Sequence, residues 1–142
     1  MTIEAPPRYG PVSLQTHATL DVVLLGILFV SPWSFGYSQH QGATLLAVGF
    51  PVLGMGLNFI TDYPVGLWRK LSMKWHRMVE LTSPPITIGV PWGFFSDAGA
   101  FPWVATVLGV AIFISAVFTR PLPGVRAVAS SQLLEQALRL RP

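Results

Sequence analysis

Four long apolar runs dominate the sequence, at residues 20–37, 43–61, 76–95 and 101–119, with short polar segments between them. About 20 helical residues, at about 1.5 Å each, cross a hydrocarbon core of about 30 Å. The third run is the least apolar and contains Pro84 and Pro85, which predict a kink that faces protein or water. The pattern predicts an all-α integral membrane protein with four transmembrane helices.

The first and third runs carry similar residues at matched positions, 59 residues apart from 32 to 91. The matched pairs are His17 with His76, Asp21 with Glu80, Pro32 with Pro91 and Trp33 with Trp92. Self-similarity at a fixed period indicates repeated structural units. We therefore expect two tandem helical hairpins, at residues 17–61 and 76–119. Because each hairpin starts on the same side, a two-fold axis along the membrane normal should bring the two His/acid pairs together.

Each Pro-Trp pair lies at the far end of its run, in the segments Ser31-Pro32-Trp33 and Val90-Pro91-Trp92. We expect the proline to end the helix and the indole to anchor at the interface with its N–H toward water. The alternative is that both tryptophans line a groove for a lipid, quinone or pigment. The repeated motif resembles the SPW-repeat family of small integral membrane proteins over residues 17–119. That resemblance implies a two-helix membrane unit and no catalytic activity.

Charge is scarce and lies beside the apolar runs. The chain is 51% hydrophobic and 11% charged, with a net charge of +3, whereas soluble domains carry about 25% charged residues. The basic residues fall in the loop at 62–75 and the tail at 120–142, a pattern of membrane topology that excludes nucleic acid as a partner. Both termini are therefore expected to be cytoplasmic, in the inner membrane of a bacterium, with the lipid bilayer as surroundings.

The two terminal segments outside the hairpins, at 1–16 and 120–142, are expected to lie outside the membrane. The N-terminal arm at 1–16 is polar and proline-containing, which predicts an extended or disordered segment. The first apolar run is expected to be a retained span, since no signal-peptide pattern accompanies it. The tail at 120–142 could form a surface amphipathic helix or remain a frayed polar segment. Cysteine is absent, which excludes disulfides and thiolate metal sites.

Two His/acid pairs are the main candidates for chemistry. His17 with Asp21, and His76 with Glu80, are i,i+4 neighbours on one helix face, about a turn inside the cytoplasmic ends. Asn58, with Ser115 or Thr119, should lie at similar depth. Acids within membrane segments suggest function by default.

Three hypotheses compete for this polar site. Each acid could hydrogen-bond its own histidine and fix the packing of the hairpins. Alternatively, the four side chains could bind a divalent metal, or His17 and His76 could ligate a haem or chlorophyll-type ring. The site could also relay protons. Because the Glu-x-x-His motif of di-iron bundles is missing, we assign no metal ligand from the sequence.

No nucleotide-binding, hydrolase or metalloprotease motif is present in the sequence. We therefore expect no enzyme. The first functional hypothesis is an accessory subunit that packs against a larger membrane complex, respiratory or photosynthetic. The second is a small membrane carrier, or a redox or pigment-binding protein, that uses the paired His/acid site.

Overall fold

A computed structural model describes residues 10–119 of the chain, which form a helical bundle. Its helices are α1 (Leu14–Ser34), α2 (Gln41–Ile60), α3 (Met73–Thr82), α4 (Pro84–Phe94) and α5 (Phe101–Phe118). Three of them, α1, α2 and α5, are long and apolar enough to cross a membrane. Within the described residues the fold is thus all-helical, and its three long apolar helices indicate a membrane protein. Most of the predicted arm and the whole predicted tail lie outside the described residues.

The first helix begins inside the segment predicted to be an unstructured arm. Ser13 is its N-cap, and the Ser13 hydroxyl accepts a hydrogen bond from the backbone N–H of Thr16 at 3.0 Å. Such a cap satisfies one of the backbone donors that a helix start leaves free. The helix therefore starts at Leu14, before the predicted boundary after Thr16.

The third apolar run is two short helices and not one continuous span. Pro84 lacks the N–H that would bond the Glu80 carbonyl, so α3 ends and α4 begins at this point. The freed carbonyl of Glu80 accepts from Ser83 instead, through the hydroxyl at 2.9 Å and the backbone N–H at 3.4 Å. Neither α3 nor α4 alone has the length of a membrane-crossing helix.

The bundle packs unevenly. Helix α1 packs along both α2 and α5, and α5 packs along α3 and α4. By contrast, α2 has little contact with α3 or α4 within residues 10–119. A row of buried small and aromatic side chains joins α1, α2 and α5 at the end of the bundle where α1 ends, among them Ala43, Ala47 and Phe101. The seam between α2 and α3 is therefore loosely packed.

The two Pro-Trp motifs lie at that same end, in the last turns of α1 and α4. Pro32 and Pro91 are buried, yet the helices continue to Ser34 and Phe94. Trp33 is 60% exposed. Trp92 differs from the expectation of an N–H toward water, because its indole N–H donates to the Thr106 hydroxyl at 2.9 Å.

Gly109 on α5 is expected to tolerate no side chain, whereas Gly56 on α2 is expected to tolerate one. A Cβ at Gly109 would lie 2.6 Å from the Thr87 hydroxyl, whereas one at Gly56 would meet nothing within 4 Å. Gly109→Ala should therefore destabilise the α4–α5 contact by about 1–3 kcal/mol. Gly56→Ala should be neutral or stabilising by up to about 1 kcal/mol. Thermal unfolding in detergent checks both, and equal melting temperatures would contradict the packing.

Candidate functional site

The four candidate side chains lie at one end of the bundle, where α1 and α3 begin and α2 and α5 end. Two backbone bridges close this end, one between Val12 and Thr119 and the other between Thr61 and Leu71. Val12 precedes His17 by five residues, and Leu71 precedes His76 by five. Each histidine therefore lies just below a bridge, toward the interior of the bundle. His17 is level with the end of α5, and His76 is level with the end of α2.

The structure brings His17, Asp21, His76 and Glu80 into one buried cluster, the His/acid cluster. His17 Nε2 lies 3.4 Å from Asp21 Oδ2 and 3.1 Å from Glu80 Oε2. His76 Nε2 lies 3.5 Å from Asp21 Oδ2 and 3.2 Å from Glu80 Oε1. All four side chains are between 0% and 8% exposed. Each histidine therefore meets both acids, whereas the packing hypothesis paired each acid with its own histidine.

A hydroxyl fixes the tautomer of His76. The Thr61 hydroxyl donates its only hydrogen to the Leu57 carbonyl at 2.7 Å, so it can only accept from His76 Nδ1, 2.9 Å away. The proton of a neutral His76 is therefore on Nδ1. Its Nε2 then carries a lone pair directed toward the acids.

His17 is fixed in the same way from the other half of the chain. The Thr119 hydroxyl donates to the Ser115 carbonyl at 2.6 Å and accepts from His17 Nδ1 at 3.0 Å. The Ser115 hydroxyl is a second neighbour of Nδ1, at 2.8 Å. Both histidines thus present an Nε2 lone pair to the same point. Outer partners of this kind orient histidines that bind metals.

The inner atoms of the cluster lack hydrogen-bond partners in the described part of the chain. They are Nε2 of both histidines, both oxygens of Asp21 and Oε2 of Glu80. The Nε2 atoms lie near the carboxylates but make no aligned hydrogen bond with them, so each ring points between the acids. No lysine or arginine of residues 10–119 forms an ion pair with either acid.

The spacing of these atoms fits a metal ion. One ligand atom from each residue can be chosen so that all four lie within 4.8 Å of one another. Four ligands about 2.0–2.2 Å from a tetrahedral metal are about 3.3–3.6 Å apart. The four nitrogen–oxygen distances of 3.1–3.5 Å are close to that spacing, with Asp21 Oδ2 facing both histidines and Glu80 facing them with different oxygens. The cluster can therefore supply two nitrogen and two oxygen ligands.

Tyr63 covers the cluster on the loop side. Its ring lies 5.1 Å from that of His76 and 6.5 Å from that of His17, and its hydroxyl donates to Asn58 Oδ1. Burial raises the pKa of Tyr63, and the charges of Asp21 and Glu80 raise it further. The phenol therefore stays protonated and remains a donor.

Sequence inspection placed Asn58, Ser115 and Thr119 near the site but missed Tyr63 and the role of Thr61. Tyr63 is one of several aromatic residues in a loop, with no periodicity to single it out. The motif residues Pro32, Trp33, Pro91 and Trp92 lie at the opposite end of the bundle and contribute nothing to the cluster.

Comparison with protein-family models, with curated proteins and with solved structures found no match to this chain. The resemblance to SPW-repeat proteins therefore stays a hypothesis that rests on the motif residues. Any functional conclusion depends on the geometry of the His/acid cluster.

Proposed function

We propose that this protein is an integral membrane protein that holds one divalent transition-metal ion in the His/acid cluster. One observation carries the proposal: four buried side chains direct ligand atoms that lack hydrogen-bond partners toward one point, and one ligand atom from each residue lies within 4.8 Å of the others. With neutral histidines the two carboxylates leave a charge of −2, which a divalent cation balances. Buried acids without such compensation are costly within a membrane protein.

The ligand set favours zinc or iron(II) over other ions. Imidazole suits zinc and iron, and carboxylate oxygen is accepted by both, whereas copper(I) prefers sulfur and magnesium prefers oxygen alone. His17 and Asp21 come from α1, and His76 and Glu80 come from α3. A bound ion would therefore join the two halves of the chain, act as a Lewis acid and stabilise the bundle.

A haem or chlorophyll-type ring fits these histidines poorly. Such a ring needs a flat open space in front of the ligating nitrogen, but each Nε2 faces two carboxylate groups at 3.1–3.5 Å. The His17 and His76 rings are also only 5.9 Å apart. A metal ion occupies far less space, so we propose the metal in preference to the pigment.

We further propose that the broken pair α3–α4 forms a fourth membrane crossing, with both termini on the cytoplasmic side. From Met73 to Phe94 the two helices together would extend about 30 Å, the thickness of a hydrocarbon core. The matched bridges and Thr–His contacts in the two halves support a tandem repeat. The basic residues beside the cluster end, including Lys74 and Arg77, support a cytoplasmic location for it.

The accessory-subunit hypothesis stays a prediction. Exposed apolar side chains on α2, such as Leu45 at 73% and Leu53 at 75%, suit either lipid or the helices of a partner. A metal ion in the cluster is compatible with a surrounding of lipid and with a surrounding of partner helices. We propose the inner membrane of a bacterium as the location in either case.

The direct test is the metal content of the purified chain in detergent. We expect one zinc or iron(II) ion per chain after reconstitution and desalting, measured by elemental analysis. His76→Asn should remove most of it, because a ligand is lost. His40→Asn is the matched control, since His40 lies in the turn at the other end and Asn can also cap α2 there. Equal metal in native and His76→Asn protein, or none in the native protein, would refute the proposal and favour an ion-paired or proton-relay cluster.

A further inference from the structure

A cavity of about 60 Å³ lies beside the His/acid cluster, on the side facing the interior of the bundle. Three cluster residues, Asp21, His76 and Glu80, line it. Most other lining side chains are apolar: Leu25, Phe50, Leu57, Val79 and Ile112. Since a water molecule needs about 10–15 Å³ of such volume, the cavity has room for about four atoms of that size.

The cluster is closed on its other side. Tyr63 is 4% exposed and its ring lies edge-on to His17 and tilted against His76, and the two backbone bridges at Thr61 and Thr119 close the end of the bundle. Within residues 10–119, the cavity is therefore the route by which a molecule reaches the cluster.

The cavity opens along the loosely packed seam between α2 and α3. Its walls include Leu57 of α2 and Val79 of α3, two helices that have little contact with each other in residues 10–119. Val79 is 47% exposed, so it lies at the mouth. In the proposed tandem repeat, α1 corresponds to α3 and α5 corresponds to α2. Helices α1 and α5 pack together, so the other half of the described chain has no such opening at this place. The approach to the cluster is thus through the apolar, membrane-facing side.

Asn58 provides an unused hydrogen-bond donor in this cavity. The residue is 1% exposed and lines the cavity beside the cluster. Its Oδ1 accepts from Tyr63, but its Nδ2 has no partner in the described part of the chain. Buried donors are expected to meet an acceptor because an unmade hydrogen bond is costly.

We propose that the cavity holds an exogenous ligand of the metal, namely a neutral molecule of two or three heavy atoms that accepts a hydrogen bond from Asn58. This inference rests on the proposed metal site. The size follows from the cavity volume, and the neutral charge follows from the apolar lining and from a metal already balanced by two carboxylates. The chemical class includes the diatomic gases.

Nitric oxide is a suitable probe, because iron(II) gives no signal in conventional electron paramagnetic resonance whereas its nitrosyl complex does. The iron(II)-loaded native protein should give that signal on titration with nitric oxide. Asn58→Leu should weaken nitric oxide binding about tenfold, as expected for one lost hydrogen bond. Leu57→Phe should fill the cavity and remove the signal. Leu53→Phe is the matched control one turn away, since Leu53 is 75% exposed and does not line the cavity.

The iron content of every variant is measured beside the signal. Full iron content with no nitrosyl signal in the native protein would overturn the ligand site and leave the metal site intact. Equal nitric oxide binding in Leu57→Phe and Leu53→Phe would also overturn it. Failure of the native protein to retain iron or zinc would overturn both proposals.

Discussion

Asp21→Asn is expected to weaken metal binding more than about 100-fold, a larger effect than removal of an outer partner of a ligand. The substitution keeps the shape of the side chain but removes the charge that lies 3.4 Å and 3.5 Å from the two Nε2 atoms. Added metal should raise the melting temperature of the native protein, because a ligand at about 100 times its Kd stabilises by about 2.7 kcal/mol. The variant should show no such rise.

Asp97→Asn is the matched control for that experiment. Asp97 has an 82% exposed side chain, pairs with His40 at 3.6 Å and lies between α4 and α5, at the opposite end of the bundle from the cluster. It should retain metal and the metal-dependent rise in melting temperature. A loss of metal in both variants would indicate a general effect of removing acids, and retention in both would contradict a ligand role for Asp21.

Thr61→Val is expected to weaken metal binding about 10–100-fold without touching a ligand. The Thr61 hydroxyl is the only acceptor that His76 Nδ1 has within residues 10–119, so its loss frees both the tautomer and the ring orientation. Thr119→Val should weaken metal binding less than Thr61→Val does, because His17 Nδ1 keeps the Ser115 hydroxyl at 2.8 Å as a partner. The double variant Ser115→Ala/Thr119→Val should match Thr61→Val. Metal titrations followed by competition with a chelator measure these differences.

Thr82→Val is the control for the threonine series. The Thr82 hydroxyl donates to the Met78 carbonyl at 2.8 Å, as the Thr61 hydroxyl does to Leu57, but it contacts no histidine. The two substitutions therefore remove the same kind of local hydrogen bond. Equal effects of Thr61→Val and Thr82→Val would mean that the threonines act only on helix stability.

Much of the helical architecture follows from local patterns. The apolar runs predicted the three long helices because a membrane helix must satisfy its backbone internally and be apolar outside. Ser13 and the Pro84-Pro85 pair determine where helices begin and end, which the hydropathy of a run does not show. The cap starts α1 earlier than the apolar run, and the missing N–H of Pro84 divides the third run into α3 and α4.

The candidate site was only partly predictable. The i,i+4 spacing places His17 with Asp21, and His76 with Glu80, because residues four apart share a helix face. The choice among packing, metal and proton transfer depends on where the ring nitrogens point. That direction is set by Thr61 and Thr119, which lie 15 and 102 residues from the histidines they orient.

Sequence alone thus established a membrane protein with long apolar helices and two His/acid pairs at matched positions, because hydropathy and helical spacing are local properties. Tertiary structure decided that the pairs meet crosswise and that Nδ1 is occupied on both rings. It also decided that α2 leaves a cavity beside Asn58. These features depend on contacts between residues far apart in the chain, which no local pattern records. The repeated Pro-Trp motif was the more conspicuous signal, yet the His/acid cluster lies at the other end of the same bundle.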